Sequence, residues 1–199
     1  MASFREERAL EKKMNILRTA AQLFNEKGYH GTTIEDIANQ MRLTKGAIYY
    51  YVNSKDDLLY QCHKMIATKC IEQIKQIIDS EHPVSKKLEL AIESLILNIT
   101  EEKAVFNVIN RPSMVSEEFR IKVLEQRAEY ERYFQYIIES GIEQGVFQTE
   151  NSTLTRLLML GATNSIANWF SPDGQLASKE IAEFYSKALV KSVLQSKSC

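Results

Sequence analysis

The chain has 199 residues, with 25 Lys+Arg against 26 Asp+Glu and a formal net charge of −1 at pH 7. A phosphate backbone is bound by excess positive charge, so this balance taken alone argues against a nucleic-acid partner. No apolar run approaches the roughly 18 residues of a membrane-spanning helix, and the charged start MASFREERALEKK has no apolar stretch of the secretory-signal kind. Cys62, Cys70 and Cys199 are an odd number with no C-x-x-C pair, which fits a reducing cytoplasm better than a disulfide framework. The chain has 7 Gly and 3 Pro, clumped so that long breaker-free stretches remain, and few alternating β-branched runs compete with helix. The expected class is all-α.

In chain order, the first helix is expected from about Glu6 to Glu26. Leu10, Met14, Leu17, Ala21 and Phe24 share one face, which Ile16, Ala20 and Leu23 widen. Gly28 ends it as a left-handed residue. A short second helix follows from about Thr33 to Gln40, with Thr33 and Asp36 as a capping box and Ile34, Ile37, Ala38 and Met41 as the buried face. After a tight turn, Thr44 caps a short third helix to about Tyr50, rich in tyrosine at Tyr49-Tyr50-Tyr51. Tyr51 is expected to be mostly buried and Tyr50 exposed.

Asn53-Ser54 caps a long fourth helix, from Lys55 to about Ser80, which buries Leu58, Cys62, Met65, Ile66 and Ile74. Pro83 opens the fifth, to about Thr100, with Leu88, Ala91, Leu95 and Ile99 inward. A sixth segment, Lys103 to Asn110, stops before Pro112. The seventh spans about Ser116 to Gln144, with Phe119, Val123, Tyr130, Phe134, Ile137 and Gly141 in register; Gly145 closes it. The eighth, about Asn151 to Phe170, carries Leu154, Leu158, Gly161, Ser165 and Trp169 on one face. After the turn Ser171-Pro172-Asp173-Gly174, a ninth runs from about Ser178 to Gln195.

Catalytic patterns are absent: no G-x-S-x-G, P-loop, G-x-G-x-x-G or H-E-x-x-H occurs. His30, His63 and His82 are scattered, and Cys62 and His63, adjacent on a helix, diverge by about 100° and do not readily share a metal. The reading is therefore a non-enzyme without metal or cofactor. Gly141 and Gly145 match G-x-x-x-G, but in polar surroundings, where a helix end is the better reading.

The informative region is GYHGTTIEDIANQMRLTKGAIYYYVNSKDDLLY, residues 28 to 60. Two short helices and a tight turn form a helix-turn-helix. The first helix packs on the preceding one and fixes the second, whose N-terminal end enters a major groove. Its unbonded N–H groups and dipole favour phosphate there. Gly46 permits close approach, Tyr49 and Tyr50 present hydroxyls, and Lys45 and Lys55 supply charge on either side.

The pattern G-Y-x-G-T-T-x-x-x-I-A through T-K-G-x-x-Y-x-Y-x-x-S-K-D-x-L resembles the DNA-binding region of the tetracycline-repressor (TetR) family of bacterial transcriptional regulators. The likeness covers residues 10 to 60, and the chain length and nine-helix layout agree with it. The resemblance implies a homodimer with a small N-terminal domain on operator DNA, residues 1–54, and a C-terminal domain, residues 55–199, for ligand binding and dimerisation. It implies DNA contact at Thr33, Thr44, Lys45, Gly46, Tyr49, Tyr50 and Lys55. Two positions depart from the pattern. Met41-Arg42-Leu43 replaces a small-Gly-Val turn, so Arg42 takes the conformation glycine tolerates better and gains a chance of phosphate contact. Val52 stands where an aromatic is usual, which alters packing under the third helix.

By the same resemblance the effector pocket is built among helices four to eight. Its expected lining is Met65, Phe106, Asn110, Met114, Tyr130, Phe134, Asn164, Asn168 and Trp169. Core packing is the competing reading for the apolar members. The run Asn168-Trp169-Phe170-Ser171-Pro172-Asp173-Gly174 looks like a subset responsive to acyl-CoA thioesters; another apolar metabolite or drug-like effector stays open. Helices eight and nine, with small residues Gly161, Ala162 and Ser165, fit the family's dimer interface. The expected function is repression of transcription relieved by effector, against the alternative of a small-molecule sequestering protein without specific DNA binding. The charge then divides: residues 1–55 hold 9 Lys+Arg and 6 Asp+Glu, net +3, and the remainder 16 and 20, net −4.

Overall fold

A computed structural model describes residues 4–109 and 117–195. Among these every regular element is a helix: α1 Phe4–Gly31, α2 Ile34–Gln40, α3 Lys45–Tyr49, α4 Lys55–Asp79, α5 Val84–Glu101, α6 Lys103–Ile109, α7 Glu117–Glu143, α8 Ser152–Asn164, α9 Ile166–Trp169 and α10 Ser178–Lys191. The all-α expectation holds. The chain forms two compact units, one of residues 1–66 and 104–124 and the other of 67–103 and 125–199.

In the first unit, α2 packs on α1 and on α3. Its core is Ile16, Ala20, Phe24, Ile37, Ile48 and Leu58, all fully enclosed. Burying each of the large side chains is worth about 1.5–3 kcal/mol. Gly28 leaves the helical region at φ 77°, ψ 161°, and one more turn follows it before Thr32. The expected apolar face of α1 starts later than its spacing suggests. Leu10 is 61% exposed, on turns of α1 rich in Arg, Glu and Lys. Val52 is buried, filling its site without an aromatic ring, and Tyr51 is half-exposed rather than mostly buried.

In the second unit, α5 lies along α10 and also meets α8 and α9. Leu88, Ile92, Ile96 and Ile99 of α5 and Phe134 and Ile137 of α7 are fully buried. Gly145, at φ 67°, ends α7, and the chain then folds Phe147 back over Gly141. Residues 193–195 are tied to this turn: Gln148 N donates to Val193 O at 2.7 Å and Gln195 N to Val146 O at 3.0 Å.

The expected eighth helix is divided at Ser165 into α8 and α9. Hydroxyls compete for carbonyls there, Thr163 Oγ1 donating to Met159 O at 2.7 Å and Ser165 Oγ to Ala162 O at 2.7 Å, a pattern that bends helices. Met159, Leu160, Thr163, Ile166 and Ala167 face the core. Leu154, Leu158 and Trp169 face out, which the apolar spacing could not decide.

Candidate nucleic-acid interface

The helix-turn-helix is set by local chemistry. Thr33 caps α2 reciprocally: Asp36 N donates to Thr33 Oγ1 at 3.1 Å, and Thr33 N donates back to Asp36 Oδ2 at 2.8 Å. The Thr33 hydroxyl, donating to the Asp36 carboxylate at 2.6 Å, and then the Thr33 N–H hold that carboxyl below its ordinary pKa. At the other end, Leu43 N donates to Ala38 O at 2.8 Å and Arg42 N to Asn39 O at 3.1 Å. That pair is a Schellman closure with Arg42 at the position glycine normally holds. Arg42 sits at φ 54°, the non-glycine residue at positive φ among those described. The left-handed region costs a Cβ-bearing residue about 1–2 kcal/mol, part of which glycine would give back in chain entropy. Arg42→Gly is therefore expected to stabilise the fold by up to about 1 kcal/mol in thermal melting. A lowered melting temperature would count against strain at this residue.

Thr44 caps α3, its Oγ1 accepting from Ala47 N at 3.2 Å. Lys45 and Gly46 open the helix and are exposed. A Cβ on Gly46 would meet nothing nearer than Thr44 Oγ1 at 3.9 Å, so nothing inside the protein calls for glycine there. Tyr50 is 83% exposed, edge-on to Tyr51 with ring centroids 5.1 Å apart, and Tyr49 is 51% exposed. Thr33, Arg42, Thr44, Lys45, Gly46, Tyr49 and Tyr50 are all exposed residues of one short segment. Lys45 Nζ pairs with Glu35 at 2.8 Å, and that hydrogen bond and charge raise the lysine pKa.

Lys55 is placed differently from the expected phosphate contact. Its ammonium donates to Tyr29 O at 3.0 Å and Thr32 O at 3.1 Å and lies 4.2 Å from the centre of the Tyr29 ring. The next residue, Asp56, accepts from Tyr29 Oη. Burial, then Asp56, raises the Tyr29 pKa. Lys55 thus fastens the start of α4 to the segment between α1 and α2.

The expected effector-lining residues are divided between the two units. Met65 is half-buried and Phe106 buried in the first unit. In the second, Phe134 is fully buried beneath Tyr130, their ring centroids 6.4 Å apart. The Tyr130 hydroxyl is buried with no hydrogen-bond partner among the described residues, and burial drives its pKa well up. Asn164, Asn168 and Trp169 are on the exposed side of α8 and α9, as polar residues of an amphipathic helix ordinarily are. Asn110 and Met114 lie outside the described residues. Two features carried no signal in the sequence. One is a buried polar group in which Asn98 Nδ2 donates to Gln73 Oε1 at 2.6 Å and to Cys70 Sγ at 3.4 Å, with burial pushing the Cys70 thiol up to about 11. The other is a cleft of about 160 Å³ lined by Ile78, His82, Val84, Lys87, Tyr136 and Ser140. That volume is below the roughly 300–1,000 Å³ of small-molecule sites. Among the described residues no group of three or more His, Cys, Asp or Glu could hold a metal, and no helix is long and apolar enough to cross a membrane.

Residues 16–62 match the family model described as bacterial regulatory proteins, tetR family, and residues 81–193 match the tetracyclin repressor-like C-terminal domain. The chain belongs to the tetR family. Its TetR-type relatives include the transcriptional regulator HbdR of Aromatoleum sp., 36% identical over 77 residues, which are 38% of this chain and 34% of that protein. The fatty acid metabolism regulator protein of Bacillus subtilis is 27% identical over 81% of this chain and 85% of its own length. Among solved structures, AibR in complex with isovaleryl coenzyme A and operator DNA has a TM-score of 0.76 at 24% identity, covering 92% of this chain and 97% of AibR. As a TetR-type chain the protein is a transcriptional regulator, and its family is one of regulators rather than enzymes.

Proposed function

We propose that the protein is a homodimeric repressor whose residues 1–54 hold operator DNA and whose residues 55–199 bind an acyl-CoA thioester that releases it. The observation that carries this reading is the α2–turn–α3 segment, which presents Thr33, Lys45, Tyr49 and Tyr50 outward from one short helix pair. The acyl class is supported by what relatives are named for and by the run Asn168–Gly174. Within the second unit, the rings of the pocket candidates Tyr130 and Phe134 lie together. A dimer face on α8 and α10 is supported by Leu154, Leu157, Leu158 and Phe184, all exposed in the protomer. Release is a population shift: effector binds more tightly to a conformer in which the two recognition helices no longer match half-sites about 34–36 Å apart. Cytoplasmic residence goes with DNA binding and with Cys62 and Cys70, neither of which is in a disulfide among the described residues.

A gel shift with the DNA upstream of the protein's own gene tests the reading. Binding well above that to random DNA, falling steeply with salt and reversed by acyl-CoA, is the expected result. Lys45→Ala and Tyr50→Ala are each expected to weaken operator binding about tenfold, on the scale of one to two lost phosphate contacts per dimer half. If both stay within twofold of wild type, α3 is not the recognition helix. Weak, sequence-indifferent binding would leave a sequestering protein as the better account.

A further inference from the structure

Lys45 is the first residue of α3, and its ammonium is already engaged. Glu35 Oε2 lies 2.8 Å away, on the first turn of α2, where the helix dipole favours a carboxylate. The Schellman closure at residues 41–43 fixes α2 against α3, so Glu35 cannot swing aside with its helix. Its neighbour Asp36 engages Thr33 in the same way, accepting from Thr33 Oγ1 at 2.6 Å. Exposed pairs such as Lys45–Glu35, with side chains 55% and 61% exposed, add little to stability. Folding alone therefore does not account for the placement.

We infer that Glu35 competes with DNA phosphate for the Lys45 ammonium and so holds down affinity for DNA of any sequence. The inference rests on the reading of α3 as the recognition helix. Net charge in residues 1–55 is +3 with Glu35 counted and would be +4 without it, so this one carboxylate at the leading end of α3 takes up about a quarter of the excess positive charge. Glu35 is a positioning residue: it acts through Lys45 and need not touch DNA.

The test is a double-mutant cycle on the full chain, read by fluorescence anisotropy with a random-sequence duplex and with the upstream duplex. Glu35→Gln is expected to raise affinity for the random duplex roughly three- to tenfold per dimer and to steepen the dependence on salt. In a Lys45→Ala background the same change is expected to do nothing. Both sites are exposed, so melting temperatures should agree within a few degrees. An equal gain in the Lys45→Ala background would mean general repulsion and overturn the inference; so would no gain, or a loss of affinity. If wild type prefers the upstream duplex no more than the random one, the regulator reading fails, and the cycle on random DNA still decides the competition.

Discussion

Gly141→Ala is expected to lower the stability of the second unit by about 2–3 kcal/mol, the upper range for overpacking a closed site. A Cβ at Gly141 would lie 1.9 Å from Cδ2 and 2.3 Å from Cε2 of Phe147, far inside contact distance. The ring cannot easily withdraw. Phe147 N and Val146 N both donate to Gly141 O at 2.9 Å, and the bonds to Val193 and Gln195 pin the same strand-like segment from its other side. Alanine's helix propensity returns up to about 1 kcal/mol, which the clash exceeds. For a chain of this length the loss corresponds to a fall of roughly 4–12 °C in melting temperature, measurable by circular dichroism. A fall under 2 °C would show that the Phe147 ring has room to move.

Leu158→Glu is expected to convert the dimer to monomer and to weaken operator binding by a hundredfold or more. Leu158 is 66% exposed in the protomer, so the substitution removes no internal contact. In a dimer it would place two carboxylates near a two-fold axis in an apolar face. Coupling two binding modules raises affinity by about 10²–10⁴, and a monomer forfeits that gain. Light scattering reads the mass and anisotropy the binding. Gly161→Ala is the companion: its Cβ meets nothing within 4 Å inside the protomer, so a loss of dimer there reports the partner's approach. A Leu158→Glu protein that stays dimeric moves the interface elsewhere.

What could be read from sequence follows the range of the forces involved. The capping box at Thr33 and Asp36, the cap at Thr44 and the left-handed turn at Arg42 depend on residues within five positions of one another, and each was legible. Lys55 was not, since its partners are carbonyls 23 and 26 residues earlier and no motif marks a carbonyl. The apolar periodicity of the eighth helix was real, but spacing alone does not say whether a face is meant for the protomer's own core or for a second chain. The same ambiguity attaches to Asn164, Asn168 and Trp169, read as pocket residues and exposed in the protomer. The engagement of Lys45 by Glu35 was equally hidden, because ten residues and a turn separate them.

The bonds from Lys55 have a topological side. They join residue 55 to residues 29 and 32 and so close a ring of chain that contains α2, the turn and α3 entire. A non-covalent clasp of this kind restricts the loop as a cross-link does, by removing end-to-end freedom. The two short helices, each too brief to persist alone, are thereby held at both ends of one closed circuit. The latch of that circuit is an ammonium on the first residue of α4.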